Sequence, residues 1–289
     1  MQRTILKWLI GLWVGIFVLQ VWAASPAIKP AVSPDSLYPP DIAAIKDRGT
    51  LRLAMYAANT PPFFMRDEQG HWTGIDIELA ERTAAALGVK LVVIPVPTYD
   101  GVINTVASGK ADIGAGLISI TPERALRVDF ATPIYAYHPA LLVNRLQLSK
   151  LGWNISDLIT NLQTTNQPLR FGVLAASANR ALLQGAVPSA QITSFQNNDA
   201  LMQAVADGKI FAAMIDTPEQ INVWLKAHPQ AVLTTAEGVL TTRTVLFGVA
   251  LSWKEPHLRN WLDVYVQDSA GLNIQQSVFQ KYGVEYPGL

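Results

Sequence analysis

The order strand, helix, strand, helix, strand occurs twice in this chain, and that repeat restricts the folds open to it. In the first copy the apolar runs 51–55, 91–96 and 112–116 read as strands. Residues 76–87 and 101–107 read as helices that Gly88 and Gly109 end. The second copy places strands at 169–174, 191–195 and 210–215, with helices at 179–184 and 199–206 ended by Gly185 and Gly208. The two copies also match locally, Val106-Ala107-Ser108-Gly109-Lys110 against Val205-Ala206-Asp207-Gly208-Lys209, and each closes on a Thr-Pro step, Thr121-Pro122 and Thr217-Pro218. The first helix is expected to bury Ile77, Ala80, Ala84 and Leu87 and to show Glu78, Glu81 and Arg82 to water. Two such α/β lobes bring their strand ends to one crevice, the place where open α/β sheets bind ligands. The apolar runs 140–143 and 245–251 read as two connecting strands, so residues after about 246 return to the first lobe and the pair forms a hinge.

Half of the 289 residues are hydrophobic, 15% are charged and the net charge is zero. That supports a large core and supplies no basic face for nucleic acid or an anionic membrane surface. The absence of cysteine excludes a disulfide framework, a thiolate metal site and a cysteine nucleophile. His71, His138, His228 and His257 stand at no metal-ligand spacing, so neither a metal nor a cofactor is expected. At the N-terminus, Arg3 and Lys7 precede an apolar run over 8–21, and Val21-Trp22-Ala23 puts small residues where a signal peptidase reads. Residues 1–23 therefore read as an export signal cleaved near Ala23; the alternative is an uncleaved anchor, short for a span. Residues 24–45, with prolines at 26, 30, 34, 39 and 40, read as a proline-rich lead-in.

The segment Gly114-Ala115-Gly116-Leu117-Ile118-Ser119-Ile120-Thr121-Pro122-Glu123-Arg124 reads as a buried strand running into a helix start, with Thr121 as N-cap and proline at the first helical position. Arg124 then sits in the first helical turn, where a cation does not help the helix dipole. A guanidinium beside free N–H groups and a serine hydroxyl suits a small carboxylate. The alternative is a surface arginine paired with Glu123 or Asp129.

These residues resemble the type II periplasmic solute-binding proteins, in their amino-acid-binding branch that serves ABC importers. The resemblance runs from about residue 51 to 282. It rests on Leu51-Arg52-Leu53, Thr60-Pro61-Pro62-Phe63, Gly74-Ile75-Asp76-Ile77-Glu78-Leu79-Ala80 and Tyr99-Asp100-Gly101-Val102-Ile103. It continues over Gly116 to Arg124, Val128-Asp129-Phe130-Ala131-Thr132-Pro133-Ile134-Tyr135, Ala212 to Pro218, and Phe247-Gly248-Val249-Ala250. It implies an α/β, two-lobed periplasmic-binding-protein-like fold with two hinge-strand crossovers. Lobe 1 comprises 46–138 and 246–289, and lobe 2 comprises 139–245.

The resemblance also implies a site. Arg124 and Ser119 hold an amino acid's α-carboxylate with help from Ser177, while Asp216 and the backbone of Gly116 face the α-ammonium, and Leu117 is a further ligand-binding residue. Tyr99 caps the ligand, and Asn59 and Leu174 line the side-chain end. Each residue has a plainer reading: Asp216 as a helix cap, Tyr99 as core, Ser177 as an N-cap. The chain has Asn59 and Thr60 where many relatives carry an acid and an aromatic residue. Leu174 and Ile215 stand along the expected wall, which points to an uncharged side chain. The implied role is periplasmic capture of an amino acid by a monomer and delivery to a membrane-embedded ABC permease. One alternative is an enzyme resembling cyclohexadienyl dehydratase, which needs a general acid that the loop 174–180 lacks. The other is a ligand-sensing accessory protein.

Overall fold

The repeated order folds into two five-stranded sheets of the same topology. This computed structural model describes residues 37–289; the expected export signal and most of the proline-rich lead-in lie outside the described residues. The first sheet runs Lys90–Val96, Thr50–Tyr56, Ile113–Gly114, Ala250–Leu251, Asp129–Phe130, and the second runs Gln191–Phe195, Arg170–Leu174, Ala212–Ile215, Ala140–Asn144, Thr235–Val239. In each, the first three strands are parallel and the last two antiparallel to their neighbours. Helices cover the parallel part: Ile75–Ala86 and Tyr99–Ala107 in the first, Asn179–Ala186 and Asn198–Ala206 in the second.

Three expectations change. The run at 140–143 is not a crossover but an inner strand of the second sheet, buried along its whole length. The crossings are made by Tyr135–Tyr137 in its place and by Val245–Phe247, inside the second expected run, and these pair antiparallel as a separate ribbon. The lead-in ends earlier than residue 45, because Pro40–Arg48 is a helix that buries Ile42, Ala43 and Ile45. Its Asp41 carboxylate accepts the N–H groups of His257 and Leu258, which satisfies two orphan donors at the start of the helix Pro256–Gln267. Finally, Glu78 is buried rather than solvated, held by Lys281 at 2.5 Å and Arg82 at 3.0 Å.

The strand expected over 112–116 is regular only at Ile113–Gly114, with the Asp112 and Ala115 N–H groups still donating to the neighbouring strand at Arg52 and Ala54. Asp112 is taken by Arg48 and Arg52, and after Ala115 the backbone turns through φ +94° at Gly116 and +52° at Leu117. A Cβ at Gly116 would stand 2.8 Å from Met55 Cγ, so both the space and the dihedral demand glycine there. This turn releases the chain into the segment that carries Ser119 and Arg124.

Candidate ligand-binding site

Thr121 caps the short helix Pro122–Ala125 by accepting the Arg124 N–H, as its sequence position predicts. Capping aims the Arg124 side chain back over its own loop, where Nη1 donates to the Ser119 carbonyl at 2.9 Å and hydroxyl at 2.8 Å. The guanidinium is buried yet has no carboxylate within ion-pair distance among the described residues; Asp129, the plainer partner, is held by Arg259 instead. Its Nε and Nη2 have no hydrogen-bond partner among the described residues. Burial lowers its pKa, against the pull of Asp100, Tyr99 and Asp216. A desolvated cation with unspent donors is costly until an anion arrives.

Asp216 follows the strand Ala212–Ile215 and is the facing acid. It accepts one bond, from Asn179 Nδ2 at 2.8 Å, and does not cap the helix that follows. Desolvation raises its carboxyl to about 6, opposed by Asn179 and Arg124. Tyr99 stands close enough to feel both charges. Its ring lies 4.9 Å from that of Tyr56, and its hydroxyl is buried without a partner. Leu174, although on the second sheet, packs into the core cluster of the first and closes the gap between them.

Arg124, Ser119, Tyr99, Leu174 and Asp216 are thus gathered, with Gly116 shaping the loop. Other expected site residues already have partners within the protein, or face elsewhere. The Leu117 N–H is not free for a ligand; it donates to Asp76 Oδ2 at 3.1 Å. Asn59 is exposed and its side-chain oxygen accepts the Arg66 N–H, which fixes the turn. Ser177 caps no helix; its hydroxyl donates to the Leu174 carbonyl at 2.7 Å, so gripping a carboxylate requires that proton to turn. Ile215 points away from the cleft into the second sheet's core with Leu142, Leu201 and Ile221, because neighbours along a strand face opposite ways.

Sequence reasoning missed Tyr56, Asn179 and the Asp76–Tyr135 pair. Tyr56 closes an apolar strand and resembles core, and Asn179 resembles an ordinary helix start. Asp76, a lone acid beside Ile75 and Ile77, was the usable signal: a buried carboxylate needs partners. It accepts the Tyr135 hydroxyl at 2.8 Å as well as Leu117, and burial raises its carboxyl to about 7.

A cavity of about 530 Å³ opens beside Arg124, between the segment around Thr121 and the start of the helix Asn179–Ala186; Asp100, Ser177 and Arg243 line it. No group of three or more acidic, histidine or cysteine side chains suited to a metal occurs among the described residues. Nor is any described helix long and apolar enough to cross a membrane.

The chain is 32% identical over 224 residues to membrane-bound lytic murein transglycosylase F of Erwinia tasmaniensis, covering 77% of this chain and 42% of that protein. It is 28% identical over 190 residues to cyclohexadienyl dehydratase of Pseudomonas aeruginosa, covering 64% and 66%. It therefore spans less than half of the first relative and just under two thirds of the second. The crystal structure of an ancestral amino-acid-binding protein, a precursor of cyclohexadienyl dehydratase, superposes with a TM-score of 0.70 at 28% identity, over 83% of this chain and 98% of that one. Such neighbours share the two-lobed type II periplasmic-binding-protein fold. Residues 51–269 match one family model along nearly the whole described α/β region, and the chain belongs to the bacterial extracellular solute-binding proteins, family 3.

Proposed function

We propose that this protein captures an α-amino acid between its lobes and delivers it to a membrane-embedded ABC permease. The observation that carries the reading is the buried Arg124 without a counter-ion, set opposite the enclosed Asp216. A zwitterion supplies the missing anion to one and a cation to the other, and both charges are desolvated only when paired. Ser119 orients the guanidinium, Ser177 and the uncapped N–H groups of the helix Asn179–Ala186 complete the carboxylate's donors, and Tyr99 with Tyr56 covers the ligand. With the apolar Leu174 packed between the sheets, the preferred side chain is uncharged. The protein acts as a periplasmic monomer after loss of residues 1–23, with lobe 1 beginning at the helix Pro40–Arg48.

The test is calorimetry on the full chain, stripped of ligand by unfolding and refolding. An uncharged amino acid should bind, and Arg124→Ala should abolish the heat. Failure of every amino acid to bind the folded protein would reject the reading. A second reading is a dehydratase. The relative of that activity covers 64% of the chain, and a carboxyl raised to about 6 at Asp216 has the poise of a general acid. Turnover of a cyclohexadienyl substrate that Asp216→Asn abolishes would establish it.

A further inference from the structure

The loop that carries Ser119 is hydrogen-bonded to the ribbon that crosses between the sheets. Ser119 bridges Phe247 in antiparallel fashion, the Ile120 N–H donates to the Leu246 carbonyl at 2.9 Å, and the Gly248 N–H donates to the Ile118 carbonyl at 3.1 Å. Phe247 in turn pairs with Tyr135 on the other crossing strand, so Ser119, Phe247 and Tyr135 stand in one row.

The row closes on itself through Asp76. This buried carboxylate, at the start of the helix Ile75–Ala86, accepts the Tyr135 hydroxyl at 2.8 Å on one oxygen and the Leu117 N–H at 3.1 Å on the other. Asp76 itself belongs to neither segment, being 59 residues from Tyr135 and 41 from Leu117. Leu117 precedes Ser119 by two residues and is held at φ +52°, which a leucine keeps only where its surroundings fix it. An apolar side chain at 76 would leave a buried N–H and a buried hydroxyl unpaired, which folded proteins rarely tolerate.

We propose that Asp76 is a positioning residue for ligand capture: it ties the Ser119 loop to the crossing ribbon, so that loop and ribbon move as one body when the lobes close. The inference rests on the amino-acid reading above. Arg124 is held by the Ser119 carbonyl and hydroxyl, so an anion that pulls on the guanidinium pulls on Ser119. From Ser119 the pull reaches the ribbon by two routes, across the backbone to Phe247 and through Leu117 and Asp76 to Tyr135. Closure bends both crossing strands, and the second route engages the strand that the first does not touch directly. The Tyr135 ring is packed among Phe63, Phe247 and Phe279, with centroids 5.9, 5.6 and 5.4 Å away. A displacement of its hydroxyl therefore moves the strand instead of turning the ring.

The test measures closure. The chain has no cysteine, so Lys110→Cys and Lys209→Cys, both exposed and one beside each sheet, can carry a dye pair that reports lobe separation. Methionine, leucine and glutamine are mixed in turn with the labelled full chain, stripped by unfolding and refolding, in wild type, Asp76→Ala, Asp76→Asn and Tyr135→Phe. At saturating amino acid the closing rate should fall at least fivefold in Asp76→Ala and Tyr135→Phe. It should stay within twofold of wild type in Asp76→Asn, whose amide can still bridge both groups. Tyr135→Phe deletes one oxygen and keeps the ring packing, so it carries the test where Asp76→Ala fails to fold. A residue that only supports the fold would lower the unfolding midpoint when removed and leave the closing rate of the folded protein unchanged. Unchanged closing in folded Tyr135→Phe overturns the proposal, and so does Asp76→Asn closing as slowly as Tyr135→Phe. If an amino acid binds in an Arg124-dependent way without changing lobe separation, the positioning role falls and the amino-acid reading stands. If no panel member binds, both fall.

Discussion

The Tyr56 hydroxyl donates to the Gln196 carbonyl at 2.7 Å, joining two residues 140 positions apart. Tyr56 ends a strand of the first sheet, and Gln196 follows the edge strand Gln191–Phe195 of the second. With Leu174 packed into the first sheet's core, this bond holds the two sheets' strand ends together. Removing the oxygen should leave the Tyr56–Tyr99 ring contact in place and loosen the closed form.

Tyr56→Phe is therefore expected to speed ligand release roughly two- to tenfold, the kinetic equivalent of one hydrogen bond of about 0.5–1.5 kcal/mol. Association should change little, because affinity differences between related complexes lie mostly in release rates. Stopped-flow fluorescence separates the two rates. An unchanged release rate would show that the bond plays no part in closure.

Arg124→Ala leaves a ligand carboxylate buried without its cation and should weaken binding by on the order of 2–5 kcal/mol. Arg124→Lys should recover only part of that loss, since a lysine cannot both hold Ser119 and present a fork to a carboxylate. Ser119→Ala should cost less than either, because the Ser119 carbonyl still orients the guanidinium. Calorimetry on the three variants should return that order. Wild-type affinity in folded Arg124→Ala would remove Arg124 from the site.

The pH dependence of binding follows from Asp216. Its carboxyl titrates at about 6 in the ligand-free protein because burial penalises the charge. On the proposed reading a ligand ammonium binds the ionised form, so protons compete with it. Affinity should be flat above about pH 7 and fall below pH 6, approaching tenfold per pH unit. In Asp216→Asn affinity should be weak and lose this limb. Asp76 titrates nearby at about 7, and whatever it contributes should persist in the variant. A wild-type affinity independent of pH from 5 to 8 would contradict the pairing.

The repeated strand and helix order was legible because its signals are local: apolar runs, glycine stops and Thr-Pro starts each act within a few residues. The Arg124 loop was legible for the same reason, since Thr121 and Pro122 decide its course. Burial of Glu78 was not, because its partner Lys281 lies 203 residues away. A short apolar run cannot state whether it crosses between lobes or fills a sheet, and 140–143 was misread on that account. Ile215 was misplaced by adjacency: standing beside Asp216 in sequence puts it on the opposite face of the strand. The Arg66 N–H on the Asn59 oxygen and the Leu117 N–H on Asp76 were not legible either, because both links depend on how the loops fold back.

Asp76 allows the sharpest test of the fold's electrostatics. Its carboxylate is fully enclosed, and its partners are the Tyr135 hydroxyl from the ribbon and the Leu117 N–H from the ligand loop. Desolvation outweighs both bonds and raises the carboxyl from 3.8 to about 7. Between those values the folded state holds a proton that the unfolded state has released. Stability is therefore greatest below about pH 4 and falls as pH rises to about 7, by on the order of 4 kcal/mol from this group alone. Glu255, also raised to about 7, adds a slope of the same sign, so the comparison must be between variants rather than between pH values. Asp76→Asn removes one titration and leaves the other. Its amide oxygen accepts the Leu117 N–H while its nitrogen donates to the Tyr135 hydroxyl, much as the protonated acid does, so it should match wild type within about 1 kcal/mol at pH 4 and decline less toward pH 7. Urea unfolding of both proteins at pH 4, 5.5, 7 and 8 measures the two slopes. Parallel pH profiles would show that Asp76 is ionised throughout, and that its two hydrogen bonds outweigh its burial.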